Sequence, residues 1–272
     1  MKIDIRHLSK TYQTQRGEIL PALADVSLQV GDGDFVSVVG PSGCGKSTLL
    51  KVVAGLIPYG SGAVEIDGRS VDGPSQRVGV VFQDPLLLEW RTVTENVMLP
   101  VQVLRLPYGH YLTRCRDLLA MSGLDKFADS YPSELSGGMQ QRVAICRALV
   151  FDPEIMLMDE PFGALDAMTR DYMNLELLRL WQQSNKTILL ITHSISEAVF
   201  LSDRVFVMSP RPGTIRDVVE IRLPRPRSLD QVSSAEAGSS IARIRRHFTE
   251  MFEQLLVPAT YVQPLAPRRS AL

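Results

Sequence analysis

The sequence predicts an α/β protein with a mixed sheet at its core and a helical segment inserted in the middle. Three observations carry that prediction. Short apolar runs rich in β-branched residues recur at Val26–Val30, Phe35–Val39, Val64–Ile66, Val78–Phe82, Ile155–Met158, Thr187–Thr192 and Val205–Met208. Each is bounded by turn signals, as strands are. Phe35–Val39, Ile155–Met158 and Ile188–Ile191 are nearly unbroken apolar runs, which is how parallel strands buried on both faces read. Between Leu88 and Val150 the pattern turns helical, punctuated by Pro100, Pro107, Gly109 and Pro132.

After Leu223 the composition shifts. Pro224-Arg225-Pro226-Arg227 leads into the Ser- and Ala-rich stretch 233–240, a flexible linker by composition. Ile241, Ile244, Phe248, Met251 and Leu255 then recur at steps of three and four, marking one amphipathic helix, with Pro258 beyond it and a short tail. The expected organisation is a main domain over 1–223, with its helical part at about 88–150, followed by linker, helix and tail over 224–272. No internal repeat is found.

The 272 residues are 45% apolar and 22% charged, an ordinary globular balance for one large domain or two small ones. A net charge of −1 speaks against a protein built to grip nucleic acid. No apolar run approaches the ~20 residues that span a bilayer. The charged, alternating start Met1–Arg6 predicts no secretory leader. Cys44, Cys115 and Cys146 are odd in number and irregularly spaced, which gives neither a disulfide framework nor a zinc site and fits a reducing compartment.

Chemistry enters with Gly40-Pro41-Ser42-Gly43-Cys44-Gly45-Lys46-Ser47-Thr48, directly after the strand Phe35–Val39. The pattern is that of a phosphate-binding loop: glycines allow a tight fold that turns consecutive N–H groups inward, and the following helix adds its positive end. Lys46 would neutralise the β- and γ-phosphates and the Ser47 hydroxyl would coordinate Mg²⁺. The bland alternative is a Gly-rich turn between strand and helix. Ile155–Glu160 then delivers two adjacent carboxylates at a strand's C-terminal end, where open α/β sheets place ligands. Successive strand residues point oppositely, so Asp159 suits a metal shell, and Glu160 suits orienting or deprotonating the attacking water. A third element, Leu135–Arg142, begins a helix with Ser136 near its N-cap, since Met139, Val143, Cys146 and Val150 recur at helical spacing. It is either a second anion-binding helix end or a simple capped helix.

Leu135–Arg142 resembles the signature motif of ATP-binding cassette (ABC) proteins, and other landmarks of that family stand around it in the family's order. Tyr12 sits where an adenine-stacking aromatic is expected, and Gln83 looks like the glutamine that joins the metal shell of Ser47 and Asp159. Ala164-Leu165-Asp166 resembles the D-loop, and His193 resembles the switch histidine. Read without the family, the alternatives are a partly buried strand or loop aromatic for Tyr12, a strand cap for His193, a solvated amide for Gln83 and a small loop filler for Cys44. The resemblance spans about residues 1–223. It implies a P-loop NTPase fold of ABC type and ATP with Mg²⁺ as cofactors. It also implies a head-to-tail dimer in which Ser136, Gly137, Gly138 and Gln140 of one chain meet the nucleotide held by the other.

A closer likeness is to the ATPase subunits of bacterial nitrate/sulfonate/taurine-type importers. It is carried by the stretches Phe162–Ala167, Trp90–Val97 and Met208–Gly213. Two positions depart from the usual pattern: Glu89 stands where a proline often precedes the tryptophan, and Ser194 where an aspartate usually follows the histidine. The likeness implies an ATPase that energises import of a small solute such as sulfonate, taurine or nitrate. It would work from the cytoplasmic face of the inner membrane as a peripheral subunit. Its partners would be a second copy of itself, two copies of a permease subunit docked at the Gln83–Pro100 stretch through Leu86, Leu87, Leu88 and Trp90, and, indirectly, an extracytoplasmic solute-binding protein. Nucleic acid is not an expected partner: the tandem cassettes, coiled coil or zinc module of that branch are missing, and seven arginines against four acids in 224–272 are a weak basic excess. Intact Glu160 and His193 oppose a non-hydrolysing regulator.

Overall fold

The computed structural model describes residues 1–163, 165–184 and 186–256. Ala164 of the D-loop resemblance, Pro258 and the tail 257–272 lie outside the described residues, as does the side chain of Leu255. In chain order, β1 (Ile3–Gln13) and β2 (Ile19–Val30) pair antiparallel, and β3 (Phe35–Val39) leads through a loop into α1 (Lys46–Val53). Strands β4 (Ser61–Ile66), β5 (Arg69–Ser70) and β6 (Val78–Val81) follow. Four helices then come in succession: α2 (Val93–Val97), α3 (Leu99–Val103), α4 (Tyr108–Met121) and α5 (Gly137–Leu149). The chain returns with β7 (Ile155–Asp159), α6 (Ala167–Ser184), β8 (Thr187–Ile191), α7 (Ile195–Leu201), β9 (Arg204–Met208) and β10 (Ile215–Glu220), and ends in α8 (Ala235–Leu256).

Two sheets result. The smaller has the order β2-β1-β4-β5, and the larger β10-β9-β3-β8-β7-β6. In the larger, β9, β3, β8, β7 and β6 run parallel, and β10 is antiparallel at the edge. The apolar strands β3, β7 and β8 are buried at every residue, the condition of strands covered on both faces. One face, through Met156, Met158 and Leu190, shares a core with Val93, Val97, Cys115, Leu119, Val143 and Cys146 of the helical insertion. The other, through Val36, Val38 and Leu157, shares a core with α1 and the small sheet.

The strands absent from the sequence reading have physical reasons to be silent. β1 departs from regular pairing at three places, and His7 and Asp25 adopt positive φ there; such bulges break the period-two alternation that marks a strand. The N-terminal half of β2 exposes Ile19, Leu20 and Pro21, so it carries no burial pattern.

The compositional linker is corrected. α8 starts at Ala235, inside the stretch expected to be flexible, and the Pro–Arg run before it is held down. Arg227 is buried and donates to the carbonyls of Val199, Phe200 (2.7 Å) and Ser202 (2.9 Å) at the end of α7, where a cation suits the helix dipole. Arg225 pairs with Asp203 at 2.7 Å and lies 4.0 Å over the Trp181 ring. Composition alone cannot see that these arginines have carbonyls to bind. The helix buries Ala237, Ile244 and Met251 against Val39, Val205, Val207, Val219 and Leu223. Its apolar face therefore belongs to the core beneath β3, β9 and β10.

Candidate functional site

The C-terminal ends of β3, β6, β7, β8 and β9 all deliver loops to one edge of the large sheet. There a cavity of about 310 Å³ is lined by Tyr12, Leu20, Ala22, Ser42, Gly43, Gly45, Lys46, Ser47, Thr48, Gln83, Glu160 and Arg211. The loop after β3 builds its floor. Gly45 caps α1 at φ +111 with no side-chain cap bond, and a Cβ there would stand 2.8 Å from the Ala22 carbonyl oxygen, so only glycine fits. The Lys46 N–H turns to the Cys44 thiol, and the N–H groups that follow stand beside the cavity at the positive end of the helix. Lys46 is buried, its Nζ donating to the Gly40 (2.9 Å) and Pro41 (3.0 Å) carbonyls. Cys44 is buried beneath Gly40, filling the loop as expected of a small residue, and burial pushes its thiol pKa up.

The two carboxylates of β7 part company. Asp159 is the last residue of the strand and buried; the Ser47 hydroxyl bonds it, and burial raises its pKa against that bond. Glu160 sits beyond the strand at φ +46, its N–H donating to the Ile191 carbonyl at 2.8 Å. Its Oε2 lies 3.1 Å from His193 Nδ1. The sequence reading separated the two acids by the pleat; a left-handed turn after the strand separates them instead. Ser47, Asp159 and Gln83 offer only oxygen-bearing side chains to a metal, a set that suits Mg²⁺ held by few protein ligands together with phosphate oxygens. Among the described residues no cluster of three or more His, Cys, Asp or Glu side chains forms a denser metal cage.

At the mouth, Tyr12 is 38% exposed, its hydroxyl 3.3 Å from Thr48 Oγ1 and Lys10 Nζ 5.3 Å above its ring. An exposed aromatic beside the phosphate loop can stack on a base. Gln83 reaches the cavity from the turn after β6, where the Phe82 carbonyl accepts a bond from Gln141 of α5 at 3.0 Å. Gln141 and Arg211 carry no role in the sequence reading, since both act through tertiary contacts.

This geometry meets its relatives in the comparisons. The sequence model of the ABC transporter family matches residues 23–163. The chain belongs to the ABC transporter family. It is 43% identical to the aliphatic sulfonates import ATP-binding protein of Bacillus cereus over 93% of this chain and 96% of that one. It is 47% identical to the taurine import ATP-binding protein of Jannaschia over 81% of each chain. A bacterial ABC transporter cassette solved as a dimer superposes with a TM-score of 0.74 at 34% identity, covering 82% of this chain and all of that one. The same cassette bound to ADP and phosphate after hydrolysis gives 0.72. The fold is that of an ABC ATPase.

Within this ABC cassette the signature does not join the cavity. Ser136 caps α5, its hydroxyl accepting from the Met139 N–H at 3.3 Å. Gly137 has open space where a side chain would be, and a Cβ on Gly138 would press on Leu165 at 2.8 Å. Gln140 donates to the Pro132 carbonyl at 2.9 Å within its own subdomain. Asp166 is exposed and starts α6, accepting from the Thr169 N–H (3.0 Å) and hydroxyl (2.6 Å); the hydroxyl bond lowers its pKa. The departure at Ser194 also has a structural account. Ser194 caps α7 by accepting from the Glu197 N–H at 3.3 Å, and Ser and Asp are about equal in that role.

The Gln83–Pro100 stretch divides. Trp90 and Leu86 are exposed at 74% and 59%, whereas Leu87 packs on the helical core and Val93 and Val97 are fully buried. Buried Asn96 ties the loop, accepting from the Leu88 N–H (2.8 Å) and donating to the Leu88, Arg91 and Thr92 carbonyls. Arg147 holds the Pro85 and Leu86 carbonyls. The loop is tied through its backbone and presents Leu86 and Trp90 among exposed Gln83, Asp84 and Glu89. No helix among the described residues is long and apolar enough to cross a membrane.

Proposed function

We propose that this ABC cassette is the ATP-hydrolysing subunit of an importer for a small solute of the sulfonate or taurine kind, cycling between an open pair and an ATP-closed pair of identical chains. The carrying observation is the complementarity of two helix ends in one chain. The α1 end lies in a cavity with Lys46, and the α5 end stands on the surface away from it. A γ-phosphate held by one loop keeps oxygens facing outward, and a second helix N-terminus can satisfy them.

In this reading Lys46 leaves the Gly40 and Pro41 carbonyls for the β- and γ-phosphates. Ser47, Asp159 and Gln83 hold Mg²⁺, which shields phosphate charge when bound. Glu160 orients the attacking water, and its partner His193 steadies the carboxylate and reaches the γ-phosphate. Tyr12 stacks on the adenine. Ser136, Gly137 and Gly138 of the second copy close the site, with Asp166 and Gln140 shaping that face from behind.

The exposed Trp90 and Leu86 are the seat for a cytoplasmic helix of each of two permease subunits, since an exposed aromatic on a fixed loop is the form an interface anchor takes. A solute-binding protein delivers the solute on the far side of the inner membrane. The chain is organised as a core with helices 88–150 inserted, and its C-terminal helix is structural.

The test is gel filtration of Glu160→Gln with and without Mg-ATP, repeated with Ser136→Arg added. Glu160→Gln keeps size and hydrogen bonding but removes the carboxylate, so a dimer should accumulate with ATP and vanish in the double variant. A dimer indifferent to both ATP and Ser136→Arg contradicts the shared-site model.

A further inference from the structure

The phosphate loop is touched from outside by one cation to which the catalytic reading gives no part. Arg211 lies on the segment joining β9 to β10. Its Nε (3.2 Å) and Nη2 (3.0 Å) both donate to the carbonyl oxygen of Gly43. It lines the same cavity as Lys46, Tyr12 and Glu160.

The segment that carries it is fixed at several points. Ser209 accepts from the Thr214 N–H at 2.9 Å and donates to the Pro210 (2.9 Å) and Pro212 (3.1 Å) carbonyls. Gly213 donates to the Ala22 carbonyl at 2.9 Å and accepts from the Ala24 N–H at 3.0 Å, which pins the segment to β2. A Cβ on Gly213 would stand 2.2 Å from the Cys44 carbonyl oxygen, so this backbone lies directly against the phosphate loop. The backbone that carries Arg211 is therefore held against the phosphate loop, and its exposed side chain reaches back to Gly43 from there.

The chemistry of the loop gives that contact a purpose. A phosphate loop works by turning N–H groups inward and carbonyl oxygens outward. Gly43 holds φ +74, a conformation that glycine enters and leaves at little cost. The peptide after Gly43 carries the Cys44 N–H, which donates to the Pro41 carbonyl at 3.3 Å; rotating that peptide would break this turn of the loop and swing the Gly43 carbonyl oxygen inward. Two guanidinium donors on that oxygen oppose the rotation. Lys46 performs the same service for Gly40 and Pro41, but only until a phosphate draws it off.

We propose that Arg211 is a positioning residue of the nucleotide site: it clamps the Gly43 carbonyl outward and so keeps the loop's N–H groups set for phosphate before and after Lys46 moves. The inference rests on reading this cavity as the nucleotide site. The guanidinium's fork geometry is what the clamp uses, and a lysine ammonium cannot reproduce it.

The experiment is calorimetric binding of ADP, which requires neither hydrolysis nor a permease, to wild type, Arg211→Ala and Arg211→Lys, with adenosine as control. Steady-state ATPase and thermal melting accompany it. Arg211→Ala should weaken ADP about ten-fold and raise KM for ATP alike, leaving kcat within about two-fold, adenosine binding unchanged and the melting midpoint unmoved, as for an exposed side chain. Arg211→Lys should resemble Arg211→Ala. Full rescue by lysine would replace the clamp with a simple charge effect and overturn the proposal. So would unchanged ADP affinity in Arg211→Ala, or a parallel fall of affinity, kcat and melting midpoint. Wild-type protein that binds no ADP overturns the reading of the cavity, and the proposal falls with it.

Discussion

Two helix N-termini in this chain are built from the same kind of sequence, a small-residue turn running into an amphipathic helix, yet they end in opposite states. At α1 the cap is Gly45, which supplies no side-chain acceptor, and a buried lysine and a cavity surround the free N–H groups. At α5 the cap is Ser136, whose hydroxyl already serves the Met139 N–H, and the residue does not line that cavity. An uncapped helix end with a lysine cation beside it concentrates positive charge that favours a phosphate. A capped one on the surface already has part of its N–H set satisfied and needs nothing further from its own chain. That contrast is what the proposed pairing of two copies would use.

The largest effect that would test the contrast is at Lys46. Lys46→Ala removes a charge-assisted contact worth about 1.5–3 kcal/mol. ATP affinity should fall by roughly ten-fold to a hundred-fold and hydrolysis to background, read by calorimetry and phosphate release. Near-normal turnover would show that α1 needs no counter-charge. Next come the glycines. Gly45→Ala forces a side chain into a left-handed conformation and against Ala22, so nucleotide binding should collapse, with a stability loss of at least about 1 kcal/mol. Gly137→Ala meets nothing within 4 Å and should raise the melting midpoint slightly, by about 0.5–1 kcal/mol of helix preference. On the proposed shared site it should nonetheless slow hydrolysis, because the added methyl would fill space facing the other copy's nucleotide. Unimpaired hydrolysis in Gly137→Ala would remove α5 from the site.

Smaller effects separate presentation from support in the Trp90 loop. Trp90→Ala should change stability by no more than about 0.5 kcal/mol and leave basal ATPase unchanged while impairing assembly with a permease. Asn96→Ala leaves buried backbone groups unpaired and should cost about 1–3 kcal/mol, seen in chemical denaturation. Equal losses in the two variants would place Trp90 in the folding core. The smallest effect lies on the far side of the sheets. Bonds from Arg77 and Lys2 hold the Glu154 carboxyl at about 2, below its ordinary 4.5. The stabilisation is complete above pH 4.5 and lost as pH falls through about 2; Glu154 is exposed, so Glu154→Gln should cost less than about 1 kcal/mol at neutral pH.

Legibility followed the range of the interactions. The strand–loop–helix turn over Gly40–Lys46 could be read because its glycines act through backbone geometry within a few residues. Ser136 could be placed at an N-cap because the cap bond spans three residues, and Asp159 could be assigned to a buried strand end from the run before it. Arg211 could not be read as a loop clamp, since its partner Gly43 is 168 positions away in sequence. Gln141 lies 59 positions from the Phe82 carbonyl it holds. The Pro–Arg run was misjudged for the same reason: its arginines look solvated until the end of α7 is brought beneath them.

By itself the sequence determined the strands buried on both faces, the phosphate loop, the paired acids and the order of the motifs, because periodicity, glycine conformation and capping are local properties of the chain. Only the tertiary structure decided that Glu160 turns left-handed toward His193 while Asp159 stays with Ser47. It alone showed that α8 covers β3, β9 and β10, that Trp90 faces solvent while Leu87 does not, and that Arg211 grips the loop. Each of these depends on which carbonyl, ring or apolar face another part of the chain happens to present, and long-range packing fixes that where local propensity cannot.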